Sequence, residues 1–125
     1  MILGVDIGGT KTLYGVFDNK GKLLKTELQA TPKKYPDMLS SFKETYAKLN
    51  QNFNKIVIAA PGRIDKKQSL VISYGNLPWK NTALKKDIEA ITNKQVDVEN
   101  DAKLAALYEA RQLKNINQKV LYITF

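Results

Sequence analysis

The sequence predicts an α/β fold with a mixed sheet, an antiparallel meander and flanking helices, and three observations carry that prediction. Apolar runs of strand type open the chain and return at KIVIAA, residues 55–60, and again from Val96 to Glu99. Segments with helical spacing of apolar residues separate these later runs. The first three runs instead follow one another across short polar turns. A meander feeding strand–helix units puts antiparallel and parallel strands into one sheet, with right-handed crossovers laying helices over it.

Taken in order, Ile2, Leu3 and Val5 read as a strand that buries both faces. Thr12, Tyr14 and Val16 alternate with Leu13, Gly15 and Phe17 as a second strand. After the turn Asp18, Asn19, Lys20, Gly21, a third short strand runs from Leu23 to Leu28. Residues 30–36 form a loop with two prolines, and Asp37 is expected to cap a helix whose stripe is Met38, Leu39, Phe42, Tyr46 and Leu49. KIVIAA is a near-continuous apolar strand stopped by Pro61 and Gly62. A short β stretch at Leu70 to Ser73 precedes turn-prone Tyr74, Gly75, Asn76, Pro78 and Trp79. A second helix is expected from about Thr82 to Asn93, with Leu84, Ile88 and Ile91 on one face. Val96 to Glu99 is another strand, Asn100 and Asp101 open a third helix rich in strong helix formers, and KVLYITF begins a further strand.

Composition narrows the chemistry. A chain of 125 residues fits one domain, and a domain of this size hides roughly two thirds of the surface its unfolded form exposes. With no Cys and no His, thiol chemistry, zinc sites and His-based triads are excluded, so acid–base work falls to Asp, Glu, Lys or Tyr. No basic leader, transit pattern or membrane-length apolar stretch is visible, so a soluble cytoplasmic protein without a membrane partner is expected. The net charge of +8 comes from 18 Lys and two Arg spread along the whole chain. That distribution describes a solvated surface, and no nucleic-acid partner is expected, because readers of nucleic acid cluster their cations or add stacking aromatics.

The stretch DIGGTK, residues 6–11, breaks an apolar run with a carboxylate, two glycines, a hydroxyl and a cation. Two readings stay open from these residues alone. One is a hairpin turn whose glycines supply positive φ. The other is a phosphate cradle in which glycines let backbone N–H groups approach an anion while Thr10 and Lys11 add a hydroxyl and a charge. The stretch is neither GxxxxGK[ST] nor GxGxxG and leads into a strand, so P-loop and Rossmann readings fit poorly. In a sheet of this kind ligands bind where parallel strands end. Three loops are expected to share that edge: DIGGTK, the pair Pro61 and Gly62, and residues 99–101.

LGVDIGGTK, AAPGRID, GNLPW and VENDAKLAALYE, in that order, resemble the amino-terminal half of ROK-family sugar kinases, the glucokinase-like branch of the actin/Hsp70/hexokinase superfamily. The resemblance covers essentially the whole chain. It implies an RNase H-like lobe with a mixed five-stranded sheet at residues 1–118, with residues 119–125 as the first strand of a second, carboxy-terminal lobe that the chain lacks. It implies a hexose substrate, ATP as donor and Mg²⁺.

The resemblance assigns Asp101 to general base, taking the proton of the sugar hydroxyl that attacks the γ-phosphate of ATP. A carboxylate at a strand-to-helix junction suits that task in a chain without His; the structural alternative is that Asn100 or Asp101 caps the third helix, worth ~1 kcal/mol. By the same resemblance Asp6 faces the phosphates and Mg²⁺ through water, and Gly8, Gly9, Thr10 and Lys11 form the first phosphate loop. Asn76 and Asn100 match sugar-contacting positions together with Asp101, and Gly62 lets main chain approach the sugar. Asn76 is otherwise a turn residue, and Pro61 with Gly62 a strand terminator. Trp79 reads as core packing or a hinge contact, and Glu109 as structure. Two residues depart from the family pattern: Lys103 replaces the usual Asn, and Tyr108 a frequent Gly. A cation approaching Asp101 would lower its pKa, but residues two apart on a helix do not face each other.

The family's second phosphate loop, zinc-binding cysteine motif and further sugar-contacting Glu and His would all follow Phe125. The expected function is therefore the amino-terminal half of an ATP-dependent hexokinase or glucokinase, with little or no turnover from this polypeptide alone. The alternatives are a sugar-sensing ROK-type regulatory module without catalysis, and a two-metal nuclease on the same scaffold drawing on Asp6 and Asp101. Glucose is the first expected sugar, with other hexoses and polyphosphate as donor left open. The strand at residues 119–125 is an edge available for self-association.

Overall fold

The computed structural model describes residues 1–100. Three strands open the chain, β1 (Ile2–Ile7), β2 (Lys11–Phe17) and β3 (Leu23–Ala30), followed by helix α1 (Tyr35–Leu49) and strand β4 (Lys55–Ala59). A small hairpin system comes next, β5 (Ile64–Asp65), β6 (Leu70–Tyr74) and β7 (Leu77–Thr82), then helix α2 (Leu84–Thr92) and strand β8 (Gln95–Glu99). The expected third helix and the strand at residues 119–125 lie outside the described residues, as do Asp101, Lys103, Tyr108 and Glu109.

The main sheet has five strands in the order β3-β2-β1-β4-β8. β1 is antiparallel to β2 and β2 to β3, as the short turns require, whereas β1, β4 and β8 run parallel across helical crossovers. β1 is the hinge of this mixed sheet, and its near-unbroken apolar sequence follows from burial on both faces. Leu3, Val5 and Ile7 meet Phe42 of α1 and Leu84 and Ile88 of α2 on one face. Ile2, Phe17, Val57 and Ala59 form a second cluster on the other.

Both helices end as their sequences dictate, on asparagines in the left-handed region: Asn50 at φ 46° and Asn93 at φ 56°. The start of α1 differs from expectation. The helix begins at Tyr35 with Pro36 in its first turn, and its N-cap residue, Lys34, makes no side-chain cap. Asp37 is therefore inside the first turn, where its charge complements the helix dipole without capping.

The segment after Tyr74 holds more strand than its turn-forming residues suggest. Residues 77–82 form β7, alternating buried Leu77 and Trp79 with exposed Pro78 and Lys80. Pro78 is tolerated because β7 is an edge of the three-stranded sheet β5-β6-β7. α2 accordingly starts at Leu84, after Thr82 has closed the strand. Trp79 is core: it is 4% exposed, donates its indole N–H to the Lys33 carbonyl at 2.8 Å, and stands edge-on to Tyr74 with ring centres 4.9 Å apart.

Candidate functional site

Parallel pairing sets the ends of three strands in step. Asp6 is opposite Ala59 and Ala59 opposite Glu99, so the three side chains share one face at the carboxyl edge of β1, β4 and β8. The Ala60 amide donates to the Glu99 carbonyl at 2.9 Å, carrying the β4–β8 ladder to the loop that holds Pro61 and Gly62. Asn100 follows Glu99 at the same edge and is exposed. The sequence-predicted residues 6, 8–11, 62 and 100 therefore reach one rim of the sheet; Asp101 lies outside the described residues.

The turn between β6 and β7 folds back over this rim. Cβ of Asn76 lies 3.9 Å from where a β-carbon on Gly9 would stand, and one on Gly75 would be 3.7 Å from Cβ of Pro61. Gly62 holds the fold-back in place. Its φ is +93°, and a β-carbon there would overlap the Ser73 carbonyl. Next to it, the Arg63 amide donates to the Ser73 carbonyl at 3.2 Å, and the Ile72 amide to the Arg63 carbonyl at 2.9 Å.

The two glycines of the first turn serve different ends, and neither has the positive φ that a glycine hairpin suggests. A β-carbon on Gly8 would stand 2.7 Å from the Lys11 carbonyl, which accepts the Gly8 amide at 2.9 Å. Gly8 is thus required by the turn itself. Gly9 has room for a side chain as far as the protein is concerned. Among the described residues neither the Gly9 nor the Thr10 amide donates a hydrogen bond, and both residues are exposed. The loop is held from behind: the Thr31 amide donates to the Thr10 carbonyl at 2.8 Å, and the Thr12 and Thr31 hydroxyls are 2.7 Å apart and buried. Two amides without an acceptor among the described residues, the Thr10 hydroxyl and the exposed Lys11 side chain thus stand close together on this turn. Among the described residues Lys11 forms no ion pair.

Asp6 is half-buried at the root of this turn. Glu99 is 6% exposed and ion-paired to Lys66 from the β5–β6 turn, so its carboxylate is held by the scaffold. Sequence reasoning had no signal for Lys66, Thr31 or the Ser73 carbonyl, which act through contacts distant in the chain. A cleft of about 260 Å³ flanks β8 between Ile64, Lys66, Ser69, Lys85, Asp97 and Glu99. It contains none of the residues predicted for phosphate, and of the sugar-side segment only Glu99, next to Asn100, reaches its wall. The open rim carries the exposed polar groups, and the cleft lies beside it.

A family model described as "ROK family" matches residues 2–125. A glucokinase of Streptomyces coelicolor is 36% identical over 109 residues, covering 85% of this chain and 34% of the relative. An N-acetyl-D-glucosamine kinase of Vibrio vulnificus is 36% identical over 114 residues, covering 88% of this chain and 38% of the relative. The crystal structure of a ROK family glucokinase from Streptomyces griseus, in complex with glucose and AMPPNP, superposes with a TM-score of 0.78 at 35% identity, covering 88% of this chain and 36% of that one. The chain thus spans about a third of the length of the relatives it matches.

Proposed function

The chain belongs to the ROK family, and from that premise we propose that it forms the nucleotide- and sugar-binding amino-terminal part of an ATP-dependent sugar kinase. The observation that carries this reading is the turn at residues 8–11, which among the described residues leaves two amides undonated and keeps a glycine at position 9 that no contact demands. A β-carbon at Gly9 would occupy the space a phosphate needs, so the missing side chain has its reason outside the protein. Gly9, Thr10 and Lys11 bind the phosphates of ATP. Asn76 and Asn100, each both donor and acceptor, bind hexose hydroxyls, with the Gly62 backbone beside them.

In the reaction the sugar hydroxyl gives its proton to the Asp101 carboxylate as its oxygen bonds to the γ-phosphorus. The bond from that phosphorus to the bridging oxygen breaks, and ADP leaves. Asp6 suits a Mg²⁺ that arrives on the nucleotide, because a half-buried carboxylate would hold, through water, an ion that keeps several of its waters. The ion supplies neutralisation of charge on the phosphates. Glucose is the first expected substrate, with N-acetylglucosamine the competitor that the Vibrio relative brings forward.

The test is a titration of the isotopically labelled chain. Mg-AMPPNP is expected to shift the amide signals of Gly9 and Thr10 saturably, and glucose those of Gly62, Asn76 and Asn100. No saturable shift at Gly9 and Thr10 up to about 10 mM nucleotide, a Kd range worth under ~3 kcal/mol, would overturn the reading. In a coupled assay with ATP, Mg²⁺ and glucose, these 125 residues alone are expected to turn over far more slowly than ordinary kinases. Such catalysis depends on closing a second lobe over the substrates.

A further inference from the structure

We infer that the outer edge of β3 is a self-recognition surface, which pairs antiparallel with β3 of a second copy about a two-fold axis at Thr26. β3 is the first strand in the order of the main sheet, so one side of its backbone ladder has no strand beside it among the described residues. The two large hydrophobic side chains exposed among the described residues are both on this strand, Leu24 at 47% and Leu28 at 54%. They project from one face, together with exposed Thr26 and Ala30. Leu28 neighbours half-buried Leu13 across the β2–β3 ladder.

The sequence LLKTELQA matches itself in one register. With Thr26 on the axis, Lys25 faces Glu27 of the second copy on one side of the joined sheet, and on the other Leu24, which sits at the β3 bulge opposite Phe17, comes against Leu28. Centring the axis on Lys25 or on Glu27 sets like charges opposite each other. Half-step registers are excluded, because directly opposed residues of antiparallel strands share a face and Leu24 and Glu27 do not. Directly opposed pairs of these kinds differ by roughly 0.2–1 kcal/mol each, and symmetry doubles every difference.

An edge lysine is the ordinary guard against strand pairing, and here Glu27 of the incoming copy neutralises it. Glu27 is shared in this role, because Lys48 of α1 and Gln29 hold its Oε1 at 2.6 Å and 3.2 Å and leave Oε2 for the incoming Lys25. A joint between single strands buries less than the roughly 1,200 Å² of a standard interface, and each copy carries +8 charges. The association is therefore weak and strengthens with added salt as the net repulsion is screened.

Sedimentation velocity on the 125-residue chain tests the surface. The unaltered chain is expected to show a monomer–dimer equilibrium in the range of about 10–1,000 µM. Lys25→Glu alone and Glu27→Lys alone are each expected to weaken it at least tenfold. An equal mixture of the two variants restores a one-to-one dimer, because both carboxylates of the first variant then face the two ammonium groups of the second. Should Glu27→Lys lose its fold by circular dichroism, Leu28→Asp replaces it, with loss of the dimer expected. A chain that stays monomeric throughout, single variants that associate like the parent, or a mixture that stays monomeric would each overturn the proposal.

Discussion

β2 is bounded by two turns that join antiparallel neighbours, and they use their hydrogen bonds to different extents. The turn after Phe17 is closed on itself. Asp18 accepts the Lys20 and Lys22 amides, each at 2.9 Å, and donates its own amide to the Lys22 carbonyl. Gly21 takes φ +85° and donates to the Asp18 carbonyl. These backbone donors hold the Asp18 carboxyl below its usual pKa. The turn before β2 closes one hydrogen bond, at Gly8, and among the described residues leaves the Gly9 and Thr10 amides without an acceptor. Both turns reverse the chain; among the described residues the turn after Phe17 leaves one amide, that of Asn19, without an acceptor, and the turn before β2 leaves two adjacent ones, at Gly9 and Thr10.

Substitutions at the two turns are the direct way to break this contrast. The largest expected effect is on binding: Gly9→Val lowers affinity for Mg-AMPPNP by about 30- to 100-fold, ~2–3 kcal/mol, while the urea midpoint stays near that of the parent. A midpoint that falls along with affinity would make Gly9 another folding residue and erase the contrast. Gly8→Ala does the reverse, costing about 2 kcal/mol of stability by overpacking against the Lys11 carbonyl, as read by denaturant unfolding.

The middle of β2 sharpens the comparison through pH. Burial pushes the Tyr14 hydroxyl up to about 12. The unfolded chain therefore loses this proton first, near pH 10, and binds fewer protons than the native state above it. Stability is intact below pH 10 and falls as pH rises toward 12, by ~1.4 kcal/mol at pH 11. Tyr14→Phe is expected to remove about 1.4 kcal/mol of the alkaline loss at pH 11 while leaving nucleotide binding unchanged, the remainder coming from Tyr35 and Tyr74, whose hydroxyls burial also raises. Smallest is Gly21→Ala, about 1 kcal/mol of stability from forcing a side chain into positive φ, with no change in Mg-AMPPNP affinity. A binding loss there would mean that both turns serve the ligand.

How far the sequence carries depends on the range of the contact. The strands Ile2–Ile7, Lys11–Phe17 and Lys55–Ala59 were legible because burial on both faces leaves an apolar run that no turn imitates. β7 was not, because Pro78 reads as a breaker until the strand is known to lie on a sheet edge. Asp37 looked like a cap because position and residue type agree, yet the preceding Pro36 had already started the helix. At the site, DIGGTK and the pair Pro61 and Gly62 were readable as backbone exceptions. The separate duties of Gly8, Gly9 and Gly62 were not, since each depends on where Lys11, Asn76 and Ser73 place their atoms.

By itself, then, the sequence determined the succession of the main strands along the chain and their mix of antiparallel and parallel pairing, the lack of His and Cys in these 125 residues, and the family. Apolar periodicity, turn length and motif order are properties of neighbouring residues. Only tertiary structure decided that the turn at residues 75–76 folds over the glycine loop, that Glu99 is held by Lys66, and which of two adjacent glycines the fold can do without. Those outcomes rest on contacts between residues far apart in the chain, where a few tenths of an ångström separate a packed atom from an open place for a ligand.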